Sequence, residues 1–402
     1  MSDPTLHLAV ALDGLGWHPA AWRLSCAEPT APLHAHWWSG LAAEAERGTL
    51  DLLTIEDSLA LQSSRPDGPD GRTDQLRGRL DAVQIAARIA PSTRHIGLVP
   101  TTSVTHTEPF HLSTAVATLD HVSGGRAGWR PRVSGTSAEA RHFGRRDIPG
   151  FDPHRLDEPA TVRLVDELFA EATDAVEVVR WLWDSWQDDA VIRDVATGRF
   201  IDRDRLHYID FTGRWFSVKG PSIVPRPPQG QPPVAVLAHA ATAYAFAAGQ
   251  ADIVFVTPAD AGQAAEIVTE VRAAEVAAGR TGPPLRILAD LGVVLDETPT
   301  LARRRRDRLD DLDDTEHASD AAIFTGTPAL LADLVADWHR AGVDGFRLRP
   351  AVLPDDLTTI VRALVPALRD RGLFRHRYPG GTLRDLLGLP EPVNRYAAPS
   401  PA

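Results

Sequence analysis

The sequence predicts an α/β fold, a (β/α)8 TIM barrel with insertions at the C-terminal mouth of the barrel. Eight short runs of apolar and β-branched residues alternate with longer amphipathic stretches, which is typical of repeated βα units on a parallel sheet. The first run is followed by DGLGWH, where Gly14 and Gly16 lack the third glycine of a dinucleotide-binding turn. The count of eight and the missing fingerprint together favour a closed barrel over an open doubly wound sheet.

The predicted elements follow in chain order. Strands are predicted at residues 6–12, 51–57, 95–101, 126–130, 233–239, 251–257, 286–295 and 345–350. Helices are predicted at residues 79–90, 109–122, 261–279 and 328–342. Thr327 and Pro328 provide an N-cap and a first-turn proline for the last helix, and Gly342 provides its end. Gly124 and Gly125 are expected to close a short turn into the fourth strand.

Two segments interrupt this repeat, and we expect both to be insertions at the mouth of one domain that covers residues 1–402. Residues 58–75 are rich in Gly, Pro, Ser and Asp, which predicts a flexible loop. Residues 150–232 hold a long helical pattern, then a predicted hairpin and a proline-rich return to the fifth strand. Long βα loops at this end of a barrel often act as lids.

Composition excludes several classes of protein. The formal net charge of −12 disfavours nucleic acid and anionic membranes as partners. A single cysteine, Cys26, excludes an internal disulfide framework. The chain begins without a signal-like pattern and has no run of 18 apolar residues, so we expect a cytoplasmic protein.

The C-terminal ends of the barrel strands should converge on one mouth, where polar residues accumulate in this sequence. No histidine pair there has the spacing of a zinc or iron site, so no metal centre is predicted. Glu56, Asp57 and Asp290 could supply the carboxylate pair of a glycosidase. The alternative for Asp57 is that it caps or anchors the loop that follows it.

A strong protein nucleophile is missing from the predicted mouth. No G-x-S-x-G elbow of a serine hydrolase occurs. Lys219 is the single lysine, and it lies in the predicted hairpin rather than at a strand end, which excludes a Schiff-base site there. The chemistry is therefore expected to come from a cofactor.

Five segments carry a resemblance to a known family. They are ERGTLDLLTIEDSLA (46–60), RHIGLVPTTSVTHTEPFHLSTAVATLDHVSGGRAGW (94–129), LWDSWQDDA (182–190), GRWFSVKGPSIVPRPPQGQPPV (213–234) and LFRHRYPGGTLRDLLGLP (373–390). They resemble the bacterial luciferase-like flavin-dependent monooxygenases, in the branch that contains the nitrilotriacetate, dibenzothiophene sulfone and long-chain alkane monooxygenases.

The resemblance implies a barrel that forms a homodimer or homotetramer. It also implies that reduced FMN, made by a separate flavin reductase, reacts with O2 at the mouth and oxygenates a small organic substrate. A deazaflavin-dependent oxidoreductase that transfers hydride is one alternative. A flavin-binding barrel without turnover is another.

Carried over position by position, the resemblance assigns flavin contacts to several strand ends. Asp57 would lie near the ring, Thr102 and Ser103 would support its face, and the stretch from Trp129 to Ser134 would line its edge. The residues predicted to bind the cofactor are Asp57, Thr102, Ser103, Trp129, Arg130, Ser134, His239, Ala240 and Ala241.

The fourth strand departs from the family pattern, because Arg130 stands where an asparagine is usual and Pro131 and Arg132 follow. We predict that Arg130 or Arg132 faces the pyrimidine edge of the flavin and stabilises its anionic reduced form. The alternative is an arginine that pairs with Asp57 or Glu56 and keeps the mouth neutral.

The fifth strand departs further, in AHAATAYAF. His239 and Ala241 replace the glycine and serine of a usual phosphate-binding turn, and Tyr244 replaces a later glycine. We predict that His239 compensates by donating to the FMN phosphate. His18 and His106 are the predicted catalytic acids or bases, and a structural role is the alternative for each.

Overall fold

The computed structural model describes residues 6–63, 65, 68–149 and 158–397. The strands are β1 (His7–Leu12), β2 (Leu52–Ile55), β3 (Gly97–Ser103), β4 (Arg130–Arg132), β5 (Val191–Asp194), β6 (Arg199–Ile201), β7 (Phe211–Thr212), β8 (Ser217–Val218), β9 (Ala235–Leu237), β10 (Ile253–Val256), β11 (Arg286–Leu295), β12 (Ile323–Gly326) and β13 (Gly345–Pro350). The helices are α1 (Ala21–Leu24), α2 (Ala35–Arg47), α3 (Ala82–Ile89), α4 (Pro109–Ser123), α5 (Ser137–Phe143), α6 (Pro159–Asp184), α7 (Ala241–Gln250), α8 (Ala261–Ala277), α9 (Pro299–Asp313), α10 (Pro328–Arg340), α11 (Asp355–Thr359), α12 (Val365–Asp370) and α13 (Leu383–Leu386). None of these helices is both long enough and apolar enough to cross a bilayer.

Parallel strands form the barrel in the order β4-β3-β2-β1-β13-β11-β10-β9. Trp129 closes the ring between β4 and β9, because its N–H donates to the Pro233 carbonyl at 2.9 Å and its own carbonyl accepts from the Ala235 N–H at 2.8 Å. These eight strands correspond, in chain order, to the eight strands that the sequence predicts. The predicted TIM barrel is therefore confirmed.

Two strand assignments differ from the prediction. The fourth strand was expected at residues 126–130, but its ladder with β3 covers Arg130–Arg132 and is preceded by isolated bridges at Ala127 and Trp129. β12 was not predicted, and it pairs with the last four residues of β11. At 10 residues, β11 is long enough to pair first with β10, at Arg286–Ala289, and then with β12. The mouth-facing residues Arg130 and Arg132 thus belong to the strand itself.

The structure contains the predicted cap of α10 and the predicted turn after α4. The Thr327 hydroxyl accepts from the Leu330 N–H at 3.3 Å and caps α10. α4 ends at Gly124, whose φ of 67° is the left-handed conformation that favours glycine, and Gly125 continues the turn with a φ of 82°. This turn brings the chain from α4 into the fourth strand, as predicted.

The second insertion contains part of the barrel. α6 packs against α4 and α7 and so occupies the position of the helix that follows the fourth strand. The remainder holds two antiparallel hairpins, β5–β6 and β7–β8, of which β7–β8 is the predicted one. Residues 64, 66, 67 and 150–157 of the predicted insertions lie outside the described residues.

The interior of the barrel combines an apolar floor with charged groups. Leu383 and Leu387, from α13 and the residue after it, pack against an apolar cluster inside the barrel. The strand residues of that cluster are Ala9, Leu52, Val99, Ala235, Ile253, Phe255 and Leu288. On the same face of the sheet, β13 places Arg347 in register with Asp290 of β11. The floor therefore closes the N-terminal end and leaves polar chemistry to the mouth.

Candidate active site

Six charged side chains form a continuous arginine–carboxylate chain across the mouth. One end is Arg130, whose Nη1 donates to Glu56 Oε2 at 2.6 Å. The other Glu56 oxygen accepts from Arg347 Nη1 at 3.1 Å, and Arg347 Nε donates to Asp290 Oδ1 at 2.6 Å. Arg349 donates to Asp290 and, through Nη2 at 3.1 Å, to Asp320. The arginine–carboxylate chain thus contains three arginines and three carboxylates, whose formal charges cancel.

Strand register explains how these groups meet. Arg347 and Arg349 are two apart on β13, so both point to the same face of the sheet. The Arg347 guanidinium lies 4.2 Å from the ring centre of Phe255, and the Arg349 guanidinium lies 4.6 Å from that of Trp17. Buried charges persist only when they are paired and hydrogen-bonded, and each arginine here has a carboxylate partner.

The carboxylates of Glu56 and Asp320 remain ionised at neutral pH. Burial acts to raise the pKa of Glu56, but the positive charges of Arg130, Arg347 and Arg349 outweigh it and hold the pKa at about 2. Burial also acts to raise the pKa of Asp320, and its hydrogen bond and ion pair with Arg349 hold that pKa well below its usual range. The mouth is therefore a fixed field of paired charges.

Of the two roles predicted for Arg130, the structure contains the ion pair with Glu56. Arg130 Nη1 also donates to the Thr101 hydroxyl at 3.0 Å, and the residue is buried. A contact between Arg130 and a flavin stays a prediction. Arg132, the other predicted partner of the ring, donates to Glu139 at 2.7 Å, and its contact with a flavin likewise stays a prediction.

A small cavity of about 90 Å³, called here the Asp57 cleft, brings together three predicted flavin contacts. Asp57, Thr102 and Ser103 line it with residues from the first turns of α3 and α4. The carboxylate of Asp57 accepts from the Ser58 N–H at 2.7 Å and the Ala82 N–H at 3.0 Å, so Asp57 also anchors the loop, as the alternative predicted. Burial raises the pKa of Asp57.

Trp129 and Ser134 support this region from inside the protein. The Trp129 indole N–H donates to the Thr102 hydroxyl at 2.7 Å, and the Ser103 and Ser134 hydroxyls are 2.9 Å apart. Both Trp129 and Ser134 are 0% exposed. Their predicted contacts with a flavin ring stay predictions.

Glu139 is a site residue that the sequence analysis missed. Thr136 and Glu139 have the spacing of a capping box, and the Thr136 hydroxyl does accept from the Glu139 N–H at 3.4 Å. The Glu139 carboxylate, however, accepts from Ser58, Leu59 and Arg132. The spacing from Thr136 to Glu139 thus predicts only a helix cap, whereas the Glu139 side chain bonds residues far from it in the sequence.

The turn after β9 has the features of a phosphate-binding site. His239, Ala240 and Ala241 are exposed where α7 begins, and α7 has no side-chain hydrogen bond at its N-cap. Free backbone N–H groups and the helix dipole at such an end favour a phosphate. Thr242 adds a hydroxyl in the first turn, which the sequence analysis overlooked, and Tyr244 is packed in the core rather than over the turn. The residues present therefore fit the phosphate end of FMN.

His239 connects this turn to the arginine–carboxylate chain. Its Nδ1 lies 2.9 Å from the Thr257 hydroxyl, and its Nε2 lies 3.5 Å from Asp320. Burial lowers the pKa of His239, and the positive charges of Arg349 and Arg130 add to that effect, whereas Asp320 and Asp290 oppose it. His239 is thus mainly neutral at pH 7 in the free protein.

The two predicted catalytic histidines do not share a cavity. His18 lines a cavity with Trp17, His317 and Arg349, called here the His18 cavity. Its Nδ1 accepts from the Ala20 N–H at 3.1 Å, so its Nε2 donates to Asp310 at 3.0 Å and both nitrogens are occupied. Asp310 and His317 were not singled out in the sequence. Burial, with the neighbouring His18, lowers the pKa of His317 to about 4.

His106 lines a different cavity of about 330 Å³, called here the His106 cavity. The imidazole stacks on Phe143 with ring centres 5.0 Å apart, and its Nε2 is buried with no hydrogen-bond partner among the described residues. Burial lowers the pKa of His106. Thr107 lines both this cavity and the Asp57 cleft, so the two adjoin.

Comparison with known proteins agrees with this fold. Residues 23–311 match the family model described as luciferase-like monooxygenase. N-acetyl-S-(2-succino)cysteine monooxygenase of Bacillus subtilis (strain 168) is 31% identical, over 98% of this chain and 98% of its own. Nitrilotriacetate monooxygenase component A of Aminobacter aminovorans is 29% identical, over 96% of each chain. The crystal structure of long-chain alkane monooxygenase superposes with a TM-score of 0.84, at 23% identity over 96% of each chain. The predicted resemblance is confirmed, and the chain belongs to the luciferase-like monooxygenase family.

Proposed function

We propose that this chain is the oxygenase of a two-component system, which takes reduced FMN from a separate flavin reductase and oxygenates a small organic substrate. Family membership makes the chain a flavin-dependent monooxygenase that uses O2. The observation that carries the proposal is the first turn of α7, which has no side-chain cap and lies beside His239. His239 in turn contacts Asp320, the last residue of the arginine–carboxylate chain. The lack of a dinucleotide-binding turn supports a separate reductase.

The cofactor would be held at two places. The backbone at Ala240 and Ala241, with Thr242 and His239, would bind the phosphate. Asp57, Thr102 and Ser103 would face the ring. Reduced FMN supplies the two electrons that allow one oxygen atom to enter the substrate while the other leaves as water. FMN is preferred to a deazaflavin because the relatives named above are monooxygenases, whereas a deazaflavin carries hydride.

The substrate is proposed to occupy the His106 cavity, which adjoins the Asp57 cleft at Thr107. Its volume is within the range of small-molecule sites, and Trp215 and Phe216 from the β7–β8 hairpin form one wall. His106 is proposed as the acid or base, because its Nε2 is not committed to a protein group. His18, with both nitrogens bonded, is assigned a positioning role.

We also propose that the protein is cytoplasmic and forms a homodimer or homotetramer. Val195 and Phe200 on the β5–β6 hairpin are 93% and 63% exposed, and apolar side chains projecting in this way favour a protein interface. Light scattering during size-exclusion chromatography tests it, and a monomer at micromolar concentration would contradict it.

The function is tested with the purified chain, photoreduced FMN and air-saturated buffer. We expect the chain to retard peroxide release, and a substrate from a panel of organic compounds to suppress it further while becoming oxygenated. Rapid peroxide release with no compound oxygenated would instead favour the flavin-binding barrel without turnover.

A further inference from the structure

We propose that Glu139 is a positioning residue for the oxygenation reaction, and that it holds the wall of the Asp57 cleft in place from behind. This inference rests on the proposed function, in which the cleft receives the flavin ring. Glu139 lies on α5, outside the barrel, and does not line the cleft itself.

One oxygen of Glu139 receives three hydrogen bonds. Oε1 accepts from the Ser58 hydroxyl at 2.9 Å, the Leu59 N–H at 3.0 Å and Arg132 Nη1 at 2.7 Å. Ser58, Leu59 and Arg132 all line the Asp57 cleft. A single buried carboxylate therefore fixes three parts of one cavity wall.

These three donors come from two separate strand ends. Ser58 and Leu59 begin the long segment after β2, whereas Arg132 is the last residue of β4. β3 lies between those strands in the barrel and contributes Thr102 and Ser103 to the cleft. Glu139 thus links the two sides of the cleft across its central strand.

The electrostatics of Glu139 indicate more than packing. The residue is 0% exposed, and its Oε2 is buried without a hydrogen-bond partner among the described residues. Burial acts to raise the pKa of Glu139, but Arg132 and the hydrogen bonds from Ser58 and Leu59 hold it at about 2. The three donors thus hold Glu139 as a buried anion, and an anion fixed in this way orients all three donors in return.

The test compares Glu139→Gln with the matched control Glu46→Gln. Glu46 Oε1 also accepts three N–H groups, from Arg94, His95 and Ile96, but these precede β3 at the opposite end of the barrel. FMN affinity is measured by fluorescence titration. The accessibility of the described residues 68–81 is followed by the rate at which trypsin cleaves there in the absence of flavin.

We expect Glu139→Gln to raise the Kd for FMN about ten-fold and to accelerate cleavage of that segment, and Glu46→Gln to change neither. Adding Arg132→Gln to Glu139→Gln should weaken binding by less than the product of the separate effects, because the two residues act together. Equal effects of the Glu139 and Glu46 variants, or no effect of Glu139→Gln on either readout, would overturn the inference. A wild-type chain that fails to bind FMN would refute the proposed function, while the cleavage rates would still decide the role of Glu139.

Discussion

Arg347 and Asp290 lie in register on adjacent strands of the barrel, and two guanidinium N–H groups donate to the two carboxylate oxygens. Neither side chain is exposed. Glu56 bonds the same arginine, and Arg349 bonds the same aspartate. The pair is therefore the centre of the arginine–carboxylate chain, and Glu56 and Arg349 on either side would each lose an ion-pair partner without it.

Replacing Arg347 by Met should destabilise the protein strongly. The change leaves Asp290 and Glu56 with fewer cations in a buried environment, and breaking a buried pair in this way costs about 3–5 kcal/mol. Urea unfolding followed by circular dichroism measures the change. Arg340→Met is the matched control, because Arg340 pairs with Asp337 on the surface. A loss below about 1 kcal/mol for Arg347→Met would contradict the central role of the pair.

Replacing Arg130 by Met tests the predicted link between the fourth strand and the flavin. The variant leaves Glu56 with one ion pair fewer, so the mouth gains negative charge where an anionic reduced ring would bind. We expect the affinity for reduced FMN to fall about ten-fold and that for oxidised FMN to fall less. Anaerobic titration of the two redox forms measures both. Unchanged affinity for reduced FMN would assign Arg130 to charge balance alone.

The barrel could be predicted from the sequence because its strands carry strong local patterns. β12 was missed because its few residues are only partly buried and follow directly on a polar stretch after α9. The fourth strand was shifted because Pro131 removes a backbone donor and argues against a strand, although the ladder with β3 forms around it.

The arrangement of the arginine–carboxylate chain could not be predicted from the sequence. Glu56 directly follows β2, whereas Asp290 lies within β11 and Arg347 and Arg349 lie within β13. Their pairing depends on strand register, which the sequence does not state. Asp320 joins the chain from a loop between α9 and β12. Side chains of this kind are positioned by tertiary contacts, so no local pattern identifies them.

The pH dependence of FMN binding tests the role of His239. Its pKa is lowered in the free protein and should rise when the phosphate binds, so binding takes up a proton between the two values. FMN affinity should therefore decline as the pH rises through that interval, which begins below the ordinary histidine pKa. His239→Gln is the control, since its own profile reports only the phosphate titration. Parallel profiles for the two proteins would exclude His239 from the site.

The two predicted catalytic histidines should respond differently to substitution. His106→Gln removes the uncommitted nitrogen and should lower the oxygenation rate about 100-fold with little change in FMN affinity. His18→Asn should mainly destabilise the fold by about 1–3 kcal/mol, because Asp310 and the Ala20 N–H lose their buried partner. Steady-state kinetics and urea unfolding separate the two effects. The reverse pattern would transfer the catalytic role to His18.

The central claim is that the mouth of this barrel holds reduced FMN. Anaerobic titration of the chain with photoreduced FMN, monitored by the absorbance and fluorescence of the flavin, tests it most directly. We predict saturable binding of one FMN for each chain, weakened by Ala241→Asp, which places a negative charge at the exposed start of α7. A titration with no spectral change, or binding that Ala241→Asp leaves unaltered, would contradict the account.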